Sequence, residues 1–267
     1  MITSLHSSHV ETVEALLGSR GVKARKETGT YVIESLQNIE SVLTNAAEQV
    51  QTLYYTAEGL SRLTGRQLHN IEMLEVSPEV MKAMTDTVTP QGLLAIARIP
   101  NRKLETFQFT NKKVLKIAYF WQIQDPGNAG TVVRAADAFG FDAVCFSPES
   151  VDVYSPKVVR STAGSLWQLP VFEEVSTAQI QSFANQNNCH LFAADGQGDI
   201  ELKQAVKGTK DMNSIWIFGN EARGLPNSLI AEVGAKAVRI PISERVESLN
   251  LATAAAVVMY AASDAEK

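Results

Sequence analysis

Cysteine and histidine are scarce in this 267-residue sequence, which limits the chemistry that it can support. The two cysteines, Cys145 and Cys189, show no CxxC spacing, which argues against a disulfide scaffold and fits a reducing, cytoplasmic setting. His6 and His9 lie close together near the N-terminus, and the other two histidines have no partner at ligand spacing. We therefore expect no metal site.

Long hydrophobic runs and targeting signals are also missing. No apolar stretch approaches the roughly 20 residues that a membrane-spanning helix needs. Residues 1–10 lack the basic and apolar regions of a secretory signal. Hydrophobic residues make up 45% of the sequence, enough to bury a sizeable core, and the 20% of charged residues argues against disorder. We expect a globular cytoplasmic protein with no membrane partner.

An excess of positive charge is absent too, since the net charge is −5. The charge is unevenly distributed: residues 1–116 carry 13 Lys and Arg against 12 Asp and Glu, whereas residues 117–267 carry 11 against 17. Lys23, Arg25 and Lys26 form a small basic cluster that can hold nucleic-acid phosphates. Taken alone, such a cluster is better explained by ordinary solvated loops.

Hydrophobic periodicity divides the chain into two α/β halves joined by a polar linker at residues 101–113. Residues 1–100 predict a small domain of mixed helices and strands. Residues 114–267 alternate strands with helices, which predicts a parallel sheet covered on both faces, with ligands beyond the carboxyl ends of its strands. The predicted strands are 31–33, 50–56, 92–99, 115–122, 143–147, 190–194, 215–218 and 237–242. The predicted helices are one that contains Val10, Val13, Leu16 and Leu17, and those at 35–47, 58–68, 131–139, 178–187, 226–233 and 249–262.

Three segments that follow predicted strands combine glycines with polar side chains. The first reads N-A-G-T-V-V-R-A-A-D-A-F-G over residues 128–140. Taken alone, it also fits a plain helix with Asn128 as N-cap, Gly140 in a left-handed conformation at its end, and Arg134 as a surface cation. The segment by itself therefore leaves its function open.

The second segment, I-F-G-N-E-A-R-G-L-P over residues 217–226, places two glycines where a strand enters a helix. Glycine lets backbone approach a ligand closely, although a plain strand-to-helix turn explains the pattern as well. The third segment, I-P-I-S-E-R-V-E-S-L-N over residues 240–250, leads into an alanine-rich helix that Ser248 or Asn250 can cap.

Together, the order and spacing of these segments resemble the SpoU (TrmH) family of RNA 2′-O-methyltransferases in the SPOUT superfamily. The family patterns are N-x-G-x-x-x-R-x-A-x-x-F-G, G-N-E-x-x-G-L and I-P-M-x-G-x-x-x-S-L-N. The third pattern has two departures here: Ile242 stands for Met, and Glu244 stands for the glycine. The resemblance covers about residues 114–262.

The resemblance implies a parallel-sheet α/β domain with a trefoil knot that binds S-adenosylmethionine and methylates a ribose 2′-hydroxyl. Arg134 would be the central catalytic residue. Because arginine stays protonated at ordinary pH, we favour a role in holding phosphate and stabilising the alkoxide over that of a general base, and the sequence leaves both open. The other implied catalytic residues, which would surround Arg134, are Asn128, Glu221, Ser248 and Asn250. The implied cofactor-binding residues are Ala194, Gly219, Ile240, Leu249 and Asn250.

Residues 1–100 resemble the family's substrate-binding domain, which has a fold like ribosomal protein L30e. The match rests on R-K-E-T-G-T-Y-V-I-E at residues 25–34 and on P-Q-G-L-L-A at residues 90–95, with Ser35 where a glycine is usual. This likeness implies RNA as the partner, most simply 23S ribosomal RNA, and a homodimer formed through the second domain. The candidate RNA contacts are Lys23, Arg25, Lys26 and Arg160.

Three alternatives stay open from the sequence. The substrate can be transfer RNA rather than ribosomal RNA. A non-catalytic RNA-binding ribosome-assembly factor can share the fold, although such a protein would not need the whole set of motif residues. An α/β enzyme acting on a small metabolite is also conceivable, but it leaves the preceding domain unexplained.

Overall fold

The computed structural model describes residues 1–63, 68, 70–110, 113–207, 209 and 211–263. The chain forms two compact units. The first unit contains Met1–Asn101 and Asp152–Gln168, and the second contains Arg102–Val151 and Leu169–Lys267.

Strands and helices alternate through the described residues. The strands are β1 (Thr30–Glu34), β2 (Val50–Tyr55), β3 (Glu72–Glu75), β4 (Leu93–Arg98), β5 (Lys116–Phe120), β6 (Ala143–Phe146), β7 (Val171–Phe172), β8 (His190–Ala194), β9 (Ile200–Glu201), β10 (Ser214–Phe218) and β11 (Lys236–Arg239). The helices are α1 (Ser8–Leu17), α2 (Gly21–Thr28), α3 (Leu36–Asn45), α4 (Ala57–Ser61), α5 (Pro78–Ala83), α6 (Pro126–Ala138), α7 (Pro156–Ser161), α8 (Thr177–Gln186), α9 (Leu202–Lys207), α10 (Asn227–Val233) and α11 (Leu251–Ala262). No helix in the described part of the chain is long and apolar enough to span a bilayer.

The first unit is built on a four-stranded sheet in the order β1-β4-β2-β3. β4 runs antiparallel to both β1 and β2, and β3 runs parallel to β2. Val10, Val13 and Leu16 of α1 are buried in the core of this unit, because their spacing in the sequence puts them on one face of the helix. The predicted strands are confirmed, but the helix predicted over 58–68 ends as α4 at Ser61, and residues 64–67 lie outside the described part.

Residues 152–168 belong to the first unit although the predicted boundary put them in the second domain. Arg25 explains part of this, because its Nε and Nη2 atoms both lie 2.7 Å from one carboxylate oxygen of Asp152. The indole N–H of Trp167 donates to the Tyr31 hydroxyl at 2.9 Å. These pairings join residues more than 120 positions apart, so local sequence patterns could not have indicated them.

The second unit contains a seven-stranded sheet in the order β7-β6-β5-β10-β8-β11-β9, and all of its paired strands are parallel, as predicted. Ile215 and Ile217 of β10 pack with α8 and α10 in one core, so the alternate residues of β10 face the opposite side of the sheet. α11 packs against α6 and α9. Strand order reverses between β5 and β10, and such a switch point opens a crevice at the carboxyl ends of the strands.

Candidate functional site

A cavity of about 400 Å³, referred to below as the first cavity, lies at the carboxyl ends of β8, β10 and β11 in the second unit. Each of the loops that follow these strands contributes to its wall. Four of the five predicted cofactor-binding residues line it, all but Asn250, as do the predicted catalytic residues Glu221 and Ser248. The four are Ala194, Gly219, Ile240 and Leu249.

The turn after β10 forms one wall of the first cavity. The backbones of Asn220 and Gly224 exchange two hydrogen bonds, of 3.1 and 2.8 Å. The Asn220 side chain stabilises the same turn, since its Oδ1 accepts from the N–H groups of Ala222 and Arg223 at 3.0 and 3.1 Å. Gly224 has φ +64, and a Cβ added to Gly219 would lie only 2.3 Å from the Gly224 carbonyl carbon. Both glycines of the second segment are therefore required by backbone geometry.

The charged side chains that line the first cavity are all acidic. Asp195, Glu221 and Glu247 contribute carboxylates, and no Lys, Arg or His among the described residues lines it. Phe218, Leu249 and several other apolar residues complete the wall. The cavity therefore suits a ligand that combines an apolar body with positive charge.

A second, more open cavity of about 530 Å³ adjoins the first. The residues 220–222 line both cavities. The remaining wall of the second cavity comes from the first and third segments and from the loop after β5: Gln124, Asp125, Asn128 and Asn250. Two cavities with a common wall can hold two reactants side by side, as a group transfer requires.

Hydrogen bonds join one side chain from each of the three sequence segments. The Glu221 carboxylate accepts from the backbone N–H groups of Asp125 and Gln124 at 3.0 and 3.2 Å and from Asn128 Nδ2 at 3.3 Å. Asn250 Nδ2 donates to Asn128 Oδ1 at 3.1 Å. Asn250 Oδ1 accepts from the Thr253 N–H at 3.2 Å and so caps α11, as the sequence allowed.

The structure does not place Arg134 in this cluster. Arg134 lies on the exposed side of α6, lines neither cavity, and has no hydrogen-bond or ion-pair partner among the described residues. The expectation that Asn128, Glu221, Ser248 and Asn250 surround Arg134 is therefore not met in the single chain. Its catalytic role stays a prediction.

The start of α6 also differs from the predicted helix. The interpretation of Asn128 as N-cap is wrong, because Asp125 Oδ1 accepts from the Asn128 N–H at 2.7 Å and the helix begins at Pro126. Proline at the first helical position lacks only an N–H that would have no helical partner. Asn128 consequently lies within the first turn, and its side chain is available to the second cavity.

Sequence reasoning missed the loop between β5 and α6. Gln122 has φ +51, and its backbone carbonyl accepts from Asn220 Nδ2 at 2.7 Å, so this loop braces the turn after β10. Arg223 donates to Gln122 Oε1 at 2.9 Å and lies over the Trp121 ring at 6.0 Å. Its position in the sequence could have indicated a role in the site, because the loop lies between a central strand and the first segment.

The predicted RNA contacts in the first unit fall into two classes. Lys23 and Lys26 are exposed, and Lys23 lies 3.6 Å from Glu27 on α2. The structure does not support Arg25 as an RNA contact, because its side chain is buried, pairs with Asp152 and donates to the Leu16 carbonyl. Arg160 is only partly accessible, and its guanidinium pairs with Glu34 at 2.6 Å and Asp86 at 3.0 Å.

The two thiols do not offer nucleophiles. Burial raises the pKa of Cys189 to about 11 and raises that of the fully buried Cys145 further. A thiol is reactive as its thiolate, which these pKa values make rare at neutral pH. Among the described residues, no group of three His, Cys, Asp or Glu side chains is arranged to hold a metal ion.

Two sequence families match this chain. Residues 116–260 match the SpoU rRNA Methylase family, and residues 10–95 match the MRM3-like substrate binding domain. The chain is 28% identical over 238 residues to the 23S rRNA (guanosine(2553)-2′-O)-methyltransferase RlmP of Bacillus subtilis, covering 89% of this chain and 90% of that protein. It is 26% identical over 258 residues to the 23S rRNA (uridine(2479)-2′-O)-methyltransferase of Streptomyces viridochromogenes, covering 93% of this chain and 87% of that protein.

Solved structures resemble the chain over nearly its whole length. The AdoMet-bound rRNA methyltransferase from Sinorhizobium meliloti superposes with a TM-score of 0.81 at 27% identity and covers 98% of this chain and 96% of its own. A putative RNA methyltransferase of the TrmH family from Porphyromonas gingivalis gives a TM-score of 0.81 at 25% identity, covering 97% of this chain and 99% of its own.

Proposed function

The chain belongs to the SpoU rRNA Methylase family, and we propose that the RNA it methylates is 23S ribosomal RNA. It is an RNA methyltransferase that uses S-adenosylmethionine and acts on a ribose 2′-hydroxyl. The observation that carries the choice of 23S RNA is the similarity over about nine-tenths of this chain to two 23S rRNA 2′-O-methyltransferases. The pair of adjoining cavities, whose common wall is the turn of residues 220–222, supports methyl transfer between two bound reactants.

S-adenosylmethionine occupies the first cavity in this proposal. Its sulfonium and ammonium charges suit the acidic lining, and its adenosine suits the apolar wall near Phe218 and Leu249. The second cavity then receives the target ribose. S-adenosylmethionine bound in the first cavity would supply its methyl group to the 2′-oxygen and leave as the neutral thioether, and the hydroxyl proton would pass to solvent. The protein's contribution is to hold the two reactants in line.

Asn128 and Asn250 are the side chains proposed to touch the ribose, since both line the second cavity. Each amide nitrogen has one N–H engaged in the hydrogen bonds described above and one left over. These remaining donors can stabilise oxygen as its charge develops. Arg134 is proposed to approach the RNA from the exposed side of α6 and to hold a phosphate.

The affinity for S-adenosylmethionine should exceed that for its product because the three carboxylates favour the sulfonium over the neutral thioether. Replacing Asp195 and Glu247 together by Asn and Gln should lower the ratio of the two affinities by about 3- to 10-fold, a modest change because the carboxylates are partly exposed. Calorimetric titration of both ligands measures this ratio. Glu244→Gln, in the same loop but outside the cavity lining, is the control, and an unchanged ratio in the double variant would contradict the assignment.

Residues 1–100 are proposed to recognise RNA and residues 114–267 to bind the cofactor, which the match of residues 10–95 to a substrate-binding domain supports. Replacing Lys23 and Lys26 by Gln should weaken RNA binding several-fold, and the log–log salt slope should shrink by about 0.7 to 0.9 for each phosphate that a lysine no longer neutralises. Filter binding at several salt concentrations measures both quantities. Lys82→Gln on α5 is the control, and an unchanged slope would remove α2 from the interface.

The proposal includes a homodimer paired through the second domain. On α11, Val257 and Tyr260 are 39% and 62% exposed, and Tyr260 contacts Phe139 at the end of α6. Exposed apolar groups on a helix of small residues suit close packing against a second copy, and two-fold pairing is the commonest oligomeric form. Light scattering at micromolar concentration should give a dimer mass, and Tyr260→Asp should shift it towards the monomer. A monomeric wild-type protein would contradict this arrangement.

The proposal also extends to a trefoil knot in the second domain and to a cytoplasmic location. The function itself is tested by incubating the full chain with labelled S-adenosylmethionine and either ribosomal or transfer RNA, followed by digestion to nucleosides. Label on 2′-O-methylated nucleosides of 23S RNA is the expected result. Label on transfer RNA would change the substrate, label on bases would overturn ribose methylation, and cofactor-independent RNA binding without any label would favour the assembly factor.

A further inference from the structure

The hydrogen bonds among Glu221, Asn128 and Asn250 have a fixed direction. A carboxylate can only accept, so the Asn128 atom that faces Glu221 must be Nδ2. The Asn128 oxygen then faces Asn250 and can only accept, so Asn250 must turn its own Nδ2 towards it. This leaves Asn250 Oδ1 for the Thr253 N–H, which can only donate. Glu221 at one end of this hydrogen-bond chain and the Thr253 N–H at the other therefore impose the same orientation on the two amides.

We propose that Glu221 is a positioning residue, whose carboxylate sets the direction of this chain and thereby fixes which amide atoms Asn128 and Asn250 present to the ribose. The inference rests on the proposed function, because it assumes that the second cavity receives the ribose. What the reaction requires of Glu221 is an accepting oxygen at the Oε1 position; it does not require a group that takes up the hydroxyl proton.

The contacts of Glu221 separate these two roles. Its Oε1 lies 3.0 Å from the Asp125 N–H and 3.3 Å from Asn128 Nδ2. Its Oε2 lies 3.2 Å from the Gln124 N–H, which is also 3.3 Å from Oε1. A glutamine with its oxygen at the Oε1 position keeps the contacts to Asp125 and Asn128, but its Nε2 then meets the Gln124 N–H as donor against donor. Because the Glu221 side chain is exposed, a small rotation lets water separate these two donors. Glutamine thus preserves the direction of the chain while abolishing any capacity to act as a base.

The proposal predicts different results for Glu221→Gln and Glu221→Ala. Glu221→Ala should lower kcat by roughly 100-fold, the scale expected when a reacting group is misplaced by about 1 Å. Glu221→Gln should stay within about 10-fold of the wild type, with the acidic limb of its kcat–pH profile unchanged in shape. A Glu221→Gln variant as impaired as Glu221→Ala, or one that loses the acidic limb, would overturn the proposal.

Asn250→Asp tests the direction of the chain without altering Glu221. Aspartate still accepts from the Thr253 N–H and caps α11. Its second oxygen, however, faces Asn128 Oδ1, and rotating the Asn128 amide would only move the conflict to Glu221. Asn250→Asp should therefore lose roughly 100-fold in kcat, like a variant that loses a preorganised donor at a reacting oxygen. Turnover within about 10-fold of the wild type in Asn250→Asp would contradict the proposal.

Three measurements distinguish the positioning role of Glu221 from a loss of folding, from a loss of nearby negative charge and from a failure of the proposed function. The side chains of Glu221 and Asn250 are exposed to solvent in the free protein, so water can satisfy freed groups and the unfolding temperature of each variant should stay within a few degrees of the wild type. Glu244→Gln, which lines neither cavity, controls for the loss of a carboxylate nearby. A wild-type protein that binds S-adenosylmethionine but methylates no RNA would overturn the proposed function. The comparison of Glu221→Gln with Glu221→Ala, in contrast, tests only the role of Glu221.

Discussion

Replacing Gly219 by alanine is expected to weaken the binding of S-adenosylmethionine severely. The added Cβ would lie 2.3 Å and 2.5 Å from the carbonyl carbon and oxygen of Gly224 and 2.6 Å from the Leu225 nitrogen. All three atoms belong to the backbone, so no side-chain rotation relieves the overlap and the whole turn must move. That turn forms the common wall of the two cavities, and we expect a loss of affinity of at least about 100-fold, or roughly 2.8 kcal/mol.

Calorimetric titration of the cofactor and a thermal unfolding curve would measure this effect. Gly196→Ala is the matched control, because Gly196 also lines the first cavity and an added Cβ there meets no atom within 4 Å. We expect Gly196→Ala to change the affinity only a few-fold. If Gly219→Ala binds the cofactor as the wild type does, the turn after β10 is not the wall that we assign.

Arg134→Lys is expected to lose most of kcat, by roughly 100-fold or more, the scale of one preorganised donor at a reacting oxygen. Lysine retains the charge but cannot donate two parallel hydrogen bonds to a phosphate. Cofactor affinity should hardly change, because Arg134 does not line the first cavity. RNA affinity should fall only modestly, since many phosphate contacts contribute to it.

Single-turnover methylation of RNA, with separate titrations of cofactor and RNA, distinguishes these effects. Arg62→Lys, an exposed arginine paired with Glu58 on α4, controls for the substitution itself. Arg134 is exposed and without a partner among the described residues, so an arginine that serves no function there would tolerate lysine without loss. Near-normal turnover of Arg134→Lys would therefore remove Arg134 from the catalytic set.

The sequence alone predicted those features that depend on neighbouring residues. The spacing of apolar residues indicated the parallel sheet of the second unit and its helices, because the repeat that is typical of a strand or a helix can be recognised within a short stretch of sequence. The second and third segments indicated the first cavity, since parallel strands bring their carboxyl ends to one edge. Ala194, Gly219, Ile240 and Leu249, four of the five residues predicted to bind the cofactor, line this one cavity, and their role in binding stays a prediction.

Only the tertiary structure decided which distant residues meet. It moved residues 152–168 into the first unit and buried Arg25 against Asp152, so a residue that looked available to RNA is committed to an internal ion pair. It also joined Asn128, Glu221 and Asn250 in a directed hydrogen-bond chain and left Arg134 outside it. Such pairings depend on geometry between elements far apart in the chain, and hydrophobic periodicity carries no information about the direction in which an amide must face.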